Sequence, residues 1–139
     1  MPQTLERLVY ESAATGSTGS VLNLATILSE SQRNNDARGL TGALAAHDGR
    51  YIQVIEGPPE ALDGLLRRLT DDPRHRRIRV LERRPVSDRA FAGWLMASPR
   101  LNPEITATLD RLMAEPEPSA ALVVQLLREA IDAESAQAA

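Results

Sequence analysis

Two residues in the sequence combine polar chemistry with an apolar setting: Tyr10 in LERLVYES and Gln53 in YIQVIEG. Side chains alternate along a strand, so Gln53 shares one face with Tyr51 and Ile55 while Ile52, Val54 and Glu56 take the other. Tyr10 likewise shares a face with Leu8 and Ser12. A buried amide without partners costs about 1 to 3 kcal/mol, so Gln53 must bond internally or meet a ligand. If the two strands are neighbours, phenol and amide can meet. A satisfied core pair is the simpler reading of the pattern, and a ligand site is the sharper one. SQRNN (31 to 35) adds two consecutive amides, Asn34 and Asn35, followed by Asp36, as donors and acceptors at the edge of the same layer. Asn35 serves equally as a helix stop. Trp94, the single tryptophan among 3% aromatics, reads as a core filler, and Met96 as packing. His75 in DPRHRR lies near the start of a strand, and the pattern gives it no chemical task.

These residues need a scaffold, and 139 residues with 42% apolar content suffice for one domain with a single core. No run is long and apolar enough for a membrane span, and MPQTLERL lacks the apolar region of a secretion signal, so the expectation is a soluble cytoplasmic protein. Zero cysteines exclude disulfides, thiolate catalysis and zinc-thiolate sites. Two histidines far apart argue against a histidine-rich metal site. The net charge of −3 decides little, but there is no lysine, and the 16 basic residues are all Arg. Nine of them lie between Arg67 and Arg89, which reads first as a solvated basic edge and second as an anion site.

Along the chain, LERLVYES is a strand, and VLNLATILSESQRNN from Ser20 is a helix with a broad apolar stripe. LTGALAA (40 to 46) and RYIQVIE (50 to 56) form a hairpin through HDG. Pro58-Pro59 open a second helix with Leu62, Leu65, Leu66 and Leu69 on one side, ended by Asp72-Pro73. IRVLERRPV (78 to 86) is a fourth strand and Trp94 to Ala97 a short fifth. Asn102 caps a further helix, and after EPEPS a last amphipathic helix carries Val123, Leu126, Leu127, Ala130 and Ile131. The order predicts an α+β, ferredoxin-like βαββαββ sheet with strands one and three as central neighbours and two helices on one face. Val9, Ile52, Val54 and Leu81 point to the other face, and the C-terminal helices are available to cover it.

LVYES, SQRNN, LTGAL, YIQVIEGP, DDPRHRRIRV and FAGWLM occur in the order and approximate spacing of BLUF domains, the blue-light sensors that use FAD. The resemblance covers residues 5 to about 97. It implies that Tyr10 is the photochemically essential tyrosine and that Gln53 stands between that phenol and the flavin. By the same resemblance Asn35 bonds the isoalloxazine edge, with Asn34 beside it, and Arg74 and His75 form the basic pair toward the ribityl-phosphate side. Trp94 and Met96 match the residues whose positions are proposed to switch with light. An amide suits the junction, because rotation or tautomerisation redirects its bonds without moving the backbone. Glu11 stands where many members carry Arg, and it is expected to face away from the flavin.

The resemblance further implies a photosensor over residues 1–98 and a helical extension over 99–139 for capping, output or dimerisation. FAD is held noncovalently, for want of a cysteine, with FMN or riboflavin able to substitute. No enzymatic activity is expected, and signalling runs through an unnamed downstream protein or a homo-oligomer, without membrane or nucleic acid. Two rivals share the fold. An acylphosphatase-like hydrolase could use Arg38 and an Asn, but no Gly-rich phosphate cradle precedes a helix. An RNA-binding module needs aromatics exposed on the central strands, and Tyr10 is expected to face the helices.

Overall fold

The computed structural model describes residues 4–14, 39–47, 49–71, 75–94 and 96–138. The alternating stretches form β1 (Glu6–Ala14), β2 (Thr41–His47), β3 (Arg50–Gly57) and β4 (His75–Pro85). They build one antiparallel sheet in the order β2-β3-β1-β4. β1 and β3 are therefore the central pair, as the split βαβ pattern requires. Every residue of β3 after Arg50 is buried, because a central strand is covered on both faces.

β4 starts at His75, three residues before the expected Ile78. At a sheet edge the neighbour's backbone, here Ala13 and Ala14 of β1, recruits polar residues that no apolar periodicity announces. The β1-β4 register shifts twice, between Val9 and Tyr10 and between Glu11 and Ala13. Arg77 has φ 54°, left-handed backbone that a bulge uses to absorb the extra residue.

One face carries α1 (Pro59–Asp71), which begins at the expected proline and turns the buried Leu62 and the partly buried Leu65 and Leu66 to the sheet. There they meet Leu8, Tyr10, Leu44, Tyr51 and Ile55. The expected helix from Ser20 to Asn35 lies outside the described residues.

The opposite face is covered by α2 (Pro103–Met113) and α3 (Ala120–Ala138) of the same chain. Asn102 caps α2 by accepting from the Ile105 N–H at 2.8 Å, with Pro103 at the first position. Ser119 caps α3 through the Leu122 N–H at 3.2 Å. Val9, Ile52 and Val54 pack against Leu109 and Leu112 of α2 and against Val123, Leu127 and Ile131 of α3, with Leu81 partly buried beside them. The expected fifth strand is a single parallel bridge, Ala97 to Ala43 on the outer edge of β2. Among the described residues, no helix is long and apolar enough to cross a membrane.

Candidate functional site

The antiparallel register of β1 and β3 sets Tyr10 directly opposite Gln53. Side chains of such a pair stand on one face within contact distance. Here that is the α1 face, with Tyr10 0% and Gln53 4% exposed. The Tyr10 hydroxyl donates to Gln53 Oε1. Gln53 Nε2 donates in turn to Met96 Sδ at 3.3 Å. A thioether accepts and cannot donate, so the amide nitrogen faces Met96 and its oxygen faces the phenol. The result is a directed chain of hydrogen bonds, phenol to amide to sulfur.

Met96 reaches this chain because its segment is pinned to the edge of β2 by backbone bonds. The Gly42 N–H donates to the Trp94 carbonyl at 3.0 Å, the Ala97 N–H to the Gly42 carbonyl at 3.0 Å, and the Leu44 N–H to the Ala97 carbonyl at 2.8 Å. Gly42 is required where it stands: a Cβ there would lie 2.0 Å from the Val54 carbonyl oxygen. Trp94 is 46% exposed and Met96 4%, which corrects the expectation that the tryptophan fills the core. In a regular strand two residues apart share a face. Gly93, at φ 86°, and the lone bridge at Ala97 leave this segment outside that rule.

In the sequence, alternation makes Glu56 one more strand position beside Ile52 and Val54 on the α2-α3 face. It is 0% exposed. The register places Arg7 of β1 and Thr41 of β2 on either side of it. Its carboxylate accepts from Arg7 Nε at 2.9 Å and from the backbone N–H groups of Ala90 at 2.8 Å and Phe91 at 3.0 Å. Arg89 adds bonds to Thr41 Oγ1 at 2.9 Å and the Glu56 carbonyl at 3.0 Å. An arginine in the first strand, Arg7, able to pair across the sheet with the strand glutamate, was the available signal.

The arginine-rich edge carries its own counterions. Arg83 holds Asp63 at 2.7 Å and Glu6 at 2.8 Å, and these hydrogen bonds, Asp63 first, raise its already high pKa. Arg79 meets Glu11 at 2.6 Å and Arg84 meets Glu82 at 2.7 Å. Each of these three guanidinium groups has a carboxylate of the same chain beside it, unlike an open anion site. Glu11 lies on the side of β1 away from Tyr10, as expected. Asn34, Asn35 and Arg74 lie outside the described residues. His75 opens β4, and only its backbone is described.

Chemically, the α1 face presents hydrocarbon with a proton-donating phenol and a reversible amide at its centre. That suits a flat, largely apolar ring with one polar edge. The comparisons with known proteins agree with that chemistry. A family model described as sensors of blue-light using FAD matches residues 5–97. The photoactivated adenylate cyclase subunit beta of Euglena longa is 34% identical over 96 residues, which cover 68% of this chain and 11% of that protein. Subunit alpha of Euglena gracilis is 36% identical over 93 residues, 66% of this chain and 9% of that one. This chain thus spans about a tenth of the length of those relatives. Among solved structures, the dark state of BlrB, a BLUF protein, superposes with TM-score 0.79 at 29% identity and covers 93% of this chain and 98% of its own. The photo-activated state of BlsA gives TM-score 0.76 at 26% identity, covering 91% and 94%. The likeness in shape extends beyond the matched family span into the C-terminal helices. The chain is a member of the BLUF family, blue-light sensors whose cofactor is FAD.

Proposed function

We propose that this chain registers blue light by reversing the Gln53 amide between Tyr10 and Met96, and that the C-terminal helices carry the result onward. The observation that supports this reading most is the buried phenol donating to a buried amide whose own N–H is directed at a thioether. The described residues fit FAD: Leu8, Leu44, Ile55 and Leu62 supply a hydrocarbon bed broken by the polar pair. With no cysteine in the sequence a thioether link is excluded, and the flavin is held noncovalently in this reading. Asn34 and Asn35 serve the ring edge, and Arg74 and His75 the phosphate side. When bound, the flavin supplies the absorption of blue light and a transient demand for an electron beside the phenol.

The rest is done by the protein. As an electron leaves Tyr10 its proton shifts along the existing hydrogen bond toward Gln53 Oε1, and proton and electron both return to the phenol, leaving Tyr10 protonated and Gln53 a neutral amide. After rotation, Nε2 faces the phenol oxygen, which accepts as readily as it donates. Oε1 then faces Met96 Sδ, which has no proton to give. Oxygen against sulfur at the 3.3 Å now occupied by nitrogen is a lost hydrogen bond between two electron-rich atoms. Met96 must give way, and the segment it shares with Trp94 moves with it.

Residues 1–98 act as the sensor and 99–139 as the output cap, without enzymatic activity of their own. The signal goes to a cytoplasmic partner or to a second copy of the chain. Relatives named as adenylate cyclases join a similar domain to an enzyme, which supports an output by contact rather than by chemistry. Purified protein should be yellow, release oxidised flavin on denaturation, and show a reversible red shift under blue light. Protein that stays colourless after reconstitution with FAD, FMN or riboflavin would end this reading.

A further inference from the structure

Glu56 lies on the same strand as Gln53 but on the opposite face, and its partners reach the segment that carries Met96. The N–H groups of Ala90 and Phe91 point at its carboxylate. The carbonyl of Ala90 accepts from Arg128 of α3. The carbonyl of Phe91 accepts from the Trp94 N–H at 3.0 Å, and Trp94 is bonded to Gly42 of β2. At the far end, the Arg100 N–H donates to Glu134 of α3 at 2.8 Å. Residues 90–94 and 96–100 therefore run from a buried carboxylate, past the Gln53 amide, to the last helix, bonded at both ends. A charged acceptor serving two backbone donors is stronger than a neutral one and cannot slide without losing both bonds and leaving the buried Phe91 N–H bare.

We propose that Glu56 is a positioning residue for the light switch: its carboxylate holds the 90–91 turn so that Met96 stands against Gln53 while Ala90 stands against Arg128 of α3. It rests on the reading that Gln53 reversal displaces Met96. The clamp belongs to the resting arrangement, so displacement of Met96 strains it, and re-forming it helps drive the return. Glu56 thus ties the dark geometry of the amide to the position of the last helix.

The test is Glu56→Gln, which keeps the size of the side chain and removes the charge. Should the stranded Arg7 guanidinium prevent folding, Arg7→Gln/Glu56→Gln removes it and is read instead. In the dark, the amide of Ala97 should exchange with solvent roughly tenfold faster, together with those of Ala90 and Phe91. Acceleration confined to Ala90 and Phe91, with Ala97 unchanged, would mark a local tie and overturn the proposal. After illumination, thermal recovery of the red shift should be roughly fivefold slower, because the interaction that re-forms on return is weakened. An unchanged or faster recovery would likewise overturn it. A wild-type chain without any red shift would sink the Gln53 reading, whereas the exchange result in the dark would still decide the role of Glu56.

Discussion

The two faces of the sheet are built from the same strands and have opposite chemistry. The α1 face sets Tyr10 and Gln53 at the centre of Leu8, Leu44, Ile55 and Leu62. The α2-α3 face answers with Val9, Ala43, Val54, Leu109 and Leu127, and the one buried carboxylate among the described residues, Glu56, stands beside the turn at its rim. Hydrocarbon contacts are non-directional and tolerate many arrangements. A hydrogen-bonded pair has a direction that can be reversed. The first kind of face suits a helix cover that must stay on, and the second suits a switch. Because residues alternate, Gln53 lies between Ile52 and Val54, so whatever moves the switch pulls on the strand that holds the cover.

Three substitutions would break or sharpen that contrast. Tyr10→Phe keeps the ring and removes the phenolic proton, so flavin should bind while the normal photocycle disappears, as absorption spectra before and after blue light would report. A photocycle like wild type would make the polar pair a mere core pair. Leu127→Ala, on the hydrocarbon face, should cost about 2 to 5 kcal/mol in urea unfolding and leave the red shift in place. Loss of the red shift without loss of stability would mean that the cover takes part in the photochemistry. Arg79→Gln removes the bond to Glu11 and the 3.4 Å contact to the Pro116 carbonyl between α2 and α3. The pair is partly exposed, so the stability change should stay within about 1 kcal/mol. The spectrum should not change at all.

Much of this was legible from alternation and capping. The faces of β1 and β3, the leucine stripe of α1, the Asn102 cap and the buried stripe of α3 follow from local periods that tertiary packing reinforces. The meeting of Tyr10 with Gln53 needed only the central pairing of strands one and three. What escaped was set by non-local backbone bonds. His75 to Arg77 joined β4 because Ala13 and Ala14 offered partners, and no side-chain pattern records such an offer. Met96 rather than Trp94 turned inward because Gly42 and Leu44 pin the segment by its backbone. Glu56 looked like an ordinary polar strand position, since its burial depends on Ala90 and Phe91, more than thirty residues away.

The most direct test of the switch is the light-minus-dark absorption spectrum of Gln53→Leu beside wild type. Leucine keeps the bulk and removes both the acceptor for Tyr10 and the donor for Met96. The variant should purify yellow, with wild type showing a reversible red shift and Gln53→Leu showing none. A reversible red shift of wild-type size in Gln53→Leu would contradict the Tyr10-Gln53-Met96 relay, even with FAD firmly bound.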